Sequence, residues 1–85
     1  MNTVRIITFK EGENWIAQCL EHDVCVQASD LDTLRSRMEV ALQAEAPLEN
    51  LSKAPDHFFD LWERKSDFHK SGRSDGVEYE MALCA

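Results

Sequence analysis

The sequence contains no uninterrupted apolar run longer than the five residues Met81 to Ala85, whereas a membrane-spanning helix needs about 20. The opening MNTVRIITFK also lacks the apolar core of a secretory signal, so a cytoplasmic protein with no membrane partner is expected. Cations are scarce as well. Nine Lys and Arg face sixteen Asp and Glu, a formal charge of −7, which is the wrong sign for gripping phosphates or an anionic bilayer surface. Direct nucleic-acid binding is therefore not expected. Only three glycines are present, Gly12, Gly72 and Gly76, and their spacing can build neither GxGxxG nor GxxxxGK[ST], which removes the usual phosphate-cradling loops. Three cysteines, Cys19, Cys25 and Cys84, leave one thiol over in any intramolecular disulfide scheme, and reduced thiols in a cytosol fit that count better.

What remains is enough for one small folded unit. Eighty-five residues with 44% hydrophobic and 29% charged content describe a globular chain of single-domain size, neither disordered nor fibrous. Thr3 to Lys10 is rich in β-branched residues and runs into the polar Glu11-Gly12-Glu13-Asn14, which predicts a strand entering a hairpin. Trp15 to Leu20 and Val24 to Ala28 flank a second polar connection at Glu21-His22-Asp23, completing a three-stranded meander. Ser29 and Asp30 are good N-cap residues, and Ser29 with Asp32 approximates a capping box. Leu31, Leu34, Met38, Ala41 and Leu42 then recur on one helical face, Arg35, Glu39 and Gln43 point away, and Pro47 stops the pattern after Ala46. This helix should cover one face of the sheet.

Beyond Pro47 a shorter helix is expected over about residues 55–65, with Pro55 in its first turn, Asp56 near its start and Arg64 and Lys65 near its end. Ser66 to Gly76 is polar and holds two glycines, and it reads as a loop. Val77 to Leu83 alternates cleanly and predicts a final, half-buried strand over about residues 77–84. The expected fold class is α+β: a small, antiparallel-rich sheet in the order β-β-β-α-α-β, its helices packed on it, forming one domain over 1–85.

The stretch from Thr3 to Ala46 carries four features of a known family. They are the hairpin Phe9-Lys10-Glu11-Gly12-Glu13-Asn14-Trp15, the short strand Ile16 to Leu20 running into an acidic turn, the segment Cys25-Val26-Gln27-Ala28, and Ser29-Asp30 opening a Leu-patterned helix. In these it resembles the HicB-like family of antitoxin-type domains, whose fold is a partial ribonuclease H-like one. His22-Asp23-Val24 stands where that family usually has a Pro-Gly dipeptide. The resemblance implies a non-enzymatic protein-binding module of a type II toxin-antitoxin system, one that neutralises a small basic ribonuclease toxin. Longer relatives continue into a DNA-binding domain, whereas this chain, ending at Ala85, resembles the stand-alone versions. A stand-alone HicB-like homo-oligomer of unknown or structural role and a small metal-dependent nuclease are the alternative readings.

Candidate chemistry is sparse. Cys19, His22 and Cys25 form C-x2-H-x2-C, with Cys84 as a conceivable fourth zinc ligand, but a finger pairs ligands at two distant knuckles, and small buried hydrophobes are the preferred reading. Glu11, Glu13, Glu21 and Asp23 could serve a metal-dependent hydrolase, yet they fall in turns at opposite ends of the second strand. His57 and His69 have no nucleophile at a suggestive spacing. No catalytic residue, metal or cofactor is assigned. Phe58, Phe59 and Trp62 are the candidate partner or oligomer interface, with Phe58, Leu61 and Trp62 on one side of the second helix and Phe59 exposed on another. A homodimer or higher homo-oligomer is expected, because so short a chain buries only about 60–65% of its unfolded surface and the final strand offers an edge.

Overall fold

The computed structural model describes residues 3–45, 47–74 and 77–84, with side chains at all of these except 66–69 and 74. Ala46 and Gly76, which the sequence places at the ends of the main helix and of a loop, lie outside the described residues. Thr3–Glu11 forms strand β1 and Asn14–Cys19 forms β2. The two-residue turn between them places Gly12 at φ 63°, a left-handed conformation that tight hairpin turns require and glycine adopts without steric cost. Cys25–Ala28 is β3, and both β1–β2 and β2–β3 pair antiparallel. The meander is as expected.

Leu31–Ala44 forms helix α1. Its cap is Asp30, whose carboxylate accepts hydrogen bonds from the Thr33 amide at 2.8 Å and the Thr33 hydroxyl at 2.9 Å. The expected Ser29–Asp32 box is therefore displaced by one residue. Leu34, Met38 and Leu42 are buried on the sheet, with Leu31 and Ala41 packed partly against the same cluster. Arg35 and Glu39, expected to face solvent, instead engage Tyr79: the guanidinium donates to the phenol oxygen and the phenol hydroxyl donates to Glu39. The outward face is marked by Val40, 64% exposed.

A 3₁₀ turn at Leu48–Asn50 leads to helix α2, Asp56–Glu63, with Pro55 at its N-cap. The segment before α2 is tied to the β2–β3 connection, since the Asp23 amide donates to Ser52 O at 2.7 Å and the Ala54 amide to Leu20 O at 2.9 Å. This places α2 on the sheet face opposite α1.

One expectation fails outright. The stretch read as a loop is strand β4, Lys65–Ser74, and it pairs antiparallel with β5, Val77–Cys84. The order is thus lengthened to β-β-β-α-α-β-β, and the five-stranded mixed sheet runs β3-β2-β1-β5-β4. β5 is not an edge: it lies between β4 and β1 and runs parallel to β1, with Thr3 opposite Glu78 and Thr8 opposite Leu83. Gly72 explains how so polar a strand is held. It faces Tyr79 across the β4–β5 pair, and a Cβ there would come within 2.8 Å of Tyr79 Cε2 and nearer still to the rest of the phenol. The Tyr79 ring covers the bare glycine backbone, an aromatic-on-glycine pairing that also carries the phenol out to α1. The α+β class stands.

Alternation sorts the sheet into two faces. Val4, Ile6, Ala17, Cys19, Val24, Ala28, Tyr79 and Met81 pack under α1, whereas Ile7, Leu20 and Ala82 pack under Trp62 of α2. Two polar residues are buried among them. Gln18 satisfies its amide on Cys19 O at 3.0 Å and Asp23 at 2.9 Å, while the Thr8 hydroxyl has no partner among the described residues.

Candidate functional site

The α2 side of the sheet concentrates the aromatic residues. In a helix of eight residues, Phe58, Leu61 and Trp62 lie on the inward arc, whereas Asp56, Asp60 and Glu63 follow the i, i+4, i+7 spacing of the outward one. Phe59 sits at the border between the two arcs. Trp62 is buried, 7% exposed, and Phe58 and Phe59 are half-buried. Phe59 is thus less open than the sequence suggests. The Arg5 guanidinium lies 5.4 Å from the Phe59 ring centre and 5.8 Å from that of Trp62, and the Lys53 ammonium lies 5.9 Å from the Phe59 ring centre.

Arg5 is the residue that sequence reasoning misses. It sits on β1 with its side chain on the α2 face, where its Nε donates to Glu21 Oε2 at 2.6 Å and its own amide donates to Glu21 Oε1 at 2.7 Å. Both oxygens of Glu21 are thereby occupied. The guanidinium is thus held within reach of both rings, a cation–π arrangement that a partly exposed site favours by about 0.5–1 kcal/mol. On the far side Phe9 reaches Phe58 with ring centres 6.1 Å apart, so aromatic contact continues from α2 onto β1. Nothing in the spacing of Arg5 and Phe59 signals this meeting, because it depends on which strand α2 crosses.

The outward arc has a different chemistry. Asp56, Asp60 and Glu63 are all exposed, and no salt bridge ties them among the described residues. Together with Phe59 they make a half-sunken ring flanked by three solvated carboxylates, suited to a partner carrying apolar and cationic groups.

The other sequence candidates disperse. Cys19 pairs across from Ile6 on the α1 face, Cys25 pairs across from Gln18 and so faces the opposite side, and Cys84 packs under α2. The strand pleat separates the first two thiols, so the C-x2-H-x2-C ligands do not converge. Burial pushes the Cys19 thiol up to about 11, and burial likewise raises that of Cys25. Both are held protonated at neutral pH. Of the four turn carboxylates, Glu21 is clamped by Arg5 and Asp23 accepts from Gln18, while Glu11 and Glu13 sit exposed at the other end of β2. Among the described residues no group of three His, Cys, Asp or Glu side chains could share a metal ion. His57 stacks against Phe58 with ring centres 4.0 Å apart, and the His69 side chain lies outside the described ones. No helix among the described residues is long and apolar enough to cross a membrane.

No family model, curated protein or solved structure matches this chain.

Proposed function

We propose that the chain is a non-enzymatic, cytoplasmic protein-binding module of HicB-like antitoxin type, which covers a small basic protein such as a ribonuclease toxin through the outer face of α2. The observation that carries this reading is the row Asp56, Asp60 and Glu63 beside half-buried Phe59 on a chain of net charge −7. Charge of that sign accelerates encounter with a basic partner, and an aromatic anchor slows its release. The α+β fold, with its three-stranded meander closed by a Leu-patterned helix, is compatible with the family resemblance. The buried, protonated Cys19 thiol and the engagement of Glu21 by Arg5 and of Asp23 by Gln18 favour binding over catalysis.

The test is to co-express the chain with whatever small basic reading frame adjoins its own. A copurifying partner is expected, with association slowed as salt rises, because a field of this kind is screened within about 8–10 Å at physiological ionic strength. Failure of any basic protein to copurify, or tight DNA binding by the isolated chain, overturns the reading.

One observation favours a second reading, a stand-alone homodimer or higher homo-oligomer. β4 is a ten-residue strand at the edge of the sheet, and its outer backbone groups are available for pairing with a second copy. Sedimentation across a concentration range separates the two readings: a monomer at high concentration removes the second.

A further inference from the structure

A cleft of about 420 Å³ opens at the N-terminal end of α1, on the opposite side of the sheet from the α2 surface. Trp15 of β2, Leu31 of α1 and Met81 of β5 supply its apolar surface, and Ser29, Asp30, Asp32, Arg35 and Lys70 supply its polar one. The charges are of both signs. Asp30 is occupied, because each of its oxygens accepts from Thr33. The side chain of Asp32 is exposed with no hydrogen-bond or salt-bridge partner among the described residues, its charge acting on Arg35 one turn on, and the side chain of Lys70 on the edge strand is likewise exposed and unbridged. Arg35 is fixed by its bond to Tyr79 and by Glu39, 3.6 Å from Nη1, while its Nε has no acceptor among the described residues.

We propose that this cleft binds a free α-amino acid with a large apolar side chain. The sign of the lining charges decides between ligand classes. A simple anion would meet Asp32 and the field of a chain at −7, whereas a simple cation would meet Arg35 and Lys70. A zwitterion carries its carboxylate and ammonium on one carbon, so it offers an acceptor to the Arg35 and Lys70 side and a donor to Asp32, and its zero net charge leaves it indifferent to the long-range field. The Trp15, Leu31 and Met81 surface then takes the side chain. The volume agrees, since ligand cavities run from about 300 to 1,000 Å³ and this one, near the small end, suits a single residue better than a peptide. This site is independent of the α2 reading, and neither stands on the other.

The experiment is a titration of the isotope-labelled full chain with L-phenylalanine, followed by amide and indole NMR shifts. Glycine, 3-phenylpropionate and phenethylamine are titrated in parallel. Saturable shifts are expected at Trp15, Leu31, Arg35, Lys70 and Met81, with a Kd of about 0.1–1 mM that is insensitive to salt. Glycine lacks the side chain, and each of the other two lacks one charge, so all three bind about tenfold more weakly. Lys70→Met, at an exposed position, weakens L-phenylalanine about fivefold and leaves phenethylamine unchanged. Equal binding by either single-charge analogue overturns the zwitterion assignment. Absence of saturation up to about 20 mM, or shifts confined to α2, overturns the cleft itself.

Discussion

The two faces of the sheet are built on different principles. Under α1, among the described residues, lies a broad cluster of twelve buried ones, mainly aliphatic and contributed by β1, β2, β3 and β5 as well as by α1. Under α2 lies a cluster of four, Ile7, Leu20, Trp62 and Ala82, edged by half-buried aromatics and by Arg5, Lys53 and Lys65. The first face spreads its stabilisation over many interchangeable contacts. The second depends on one indole, and its remaining rings are shared between packing and the surface. A helix of eight residues is too short to be stable by itself, so α2 stays folded only while Trp62 is seated.

That contrast can be broken most forcefully at Trp62. Trp62→Ala removes the largest member of the small cluster and should cost about 4 kcal/mol. Native-state hydrogen exchange should show α2 losing protection first while α1 and the meander keep theirs. Uniform loss across the chain would mean the faces are not separable. Next in size is Leu34→Ala in the broad cluster, where about 3 kcal/mol is expected in denaturant melts. Here protection falls everywhere, because α1 touches the whole meander.

The pH axis sharpens the comparison, since the raised thiol belongs to the α1 face. Cys19 titrates near 11 when folded against 9.0 as the ordinary value, chiefly because burial penalises the thiolate. The folded chain therefore keeps a proton that the unfolded chain releases. The stabilisation is complete below pH 9 and declines as pH rises toward 11, by about 2–3 kcal/mol in all. Cys19→Ala flattens this alkaline decline in denaturation measured at several pH values. A thiol reagent should modify exposed Cys25 well before Cys19, which reacts only through unfolding.

Smaller effects complete the series. Asp30→Ala removes the side-chain N-cap of α1 and should cost about 1 kcal/mol, again read by denaturant melts. Phe59→Ala should change stability by less than about 1 kcal/mol, because its ring is half-exposed already. Its signature is kinetic: a faster off-rate from a basic partner with little change in on-rate, whereas neutralising Asp56, Asp60 and Glu63 together slows the on-rate. If Phe59→Ala destabilised the fold as much as Trp62→Ala, its ring would belong wholly to the core.

The sequence made the α1 side legible and the other side less so. β-branched alternation marks β1 to β3, and the Leu34, Met38, Leu42 period marks α1, because each signal is local and repeats. β4 is invisible to the same reading. Its residues are polar, it contains Gly72, and the feature that favours its pairing there is Tyr79 lying over that glycine from the next strand. With β4 unread, β5 has only one partner to expect and reads as an edge, whereas β4 and β1 flank it on both sides. Phe58, Phe59 and Trp62 stand out in the sequence, but Arg5 beside them does not. The cleft at α1 gathers Trp15, Arg35 and Lys70 from three elements, a convergence that spacing along the chain cannot encode.

The parallel pairing of β1 with β5 has a further consequence for the time course of synthesis. Thr3 is made well before Glu78, and finds its partner on β5 only when that residue has followed it. Until then the meander and α1 exist with one side of β1 unpaired, a hydrogen-bonding edge next to Ile6 and Ile7. Contacts so distant in sequence close slowly and leave the nascent chain exposed to mispairing. A newly made copy is therefore most vulnerable just before β4 and β5 fold back as a hairpin, and that single event completes the sheet.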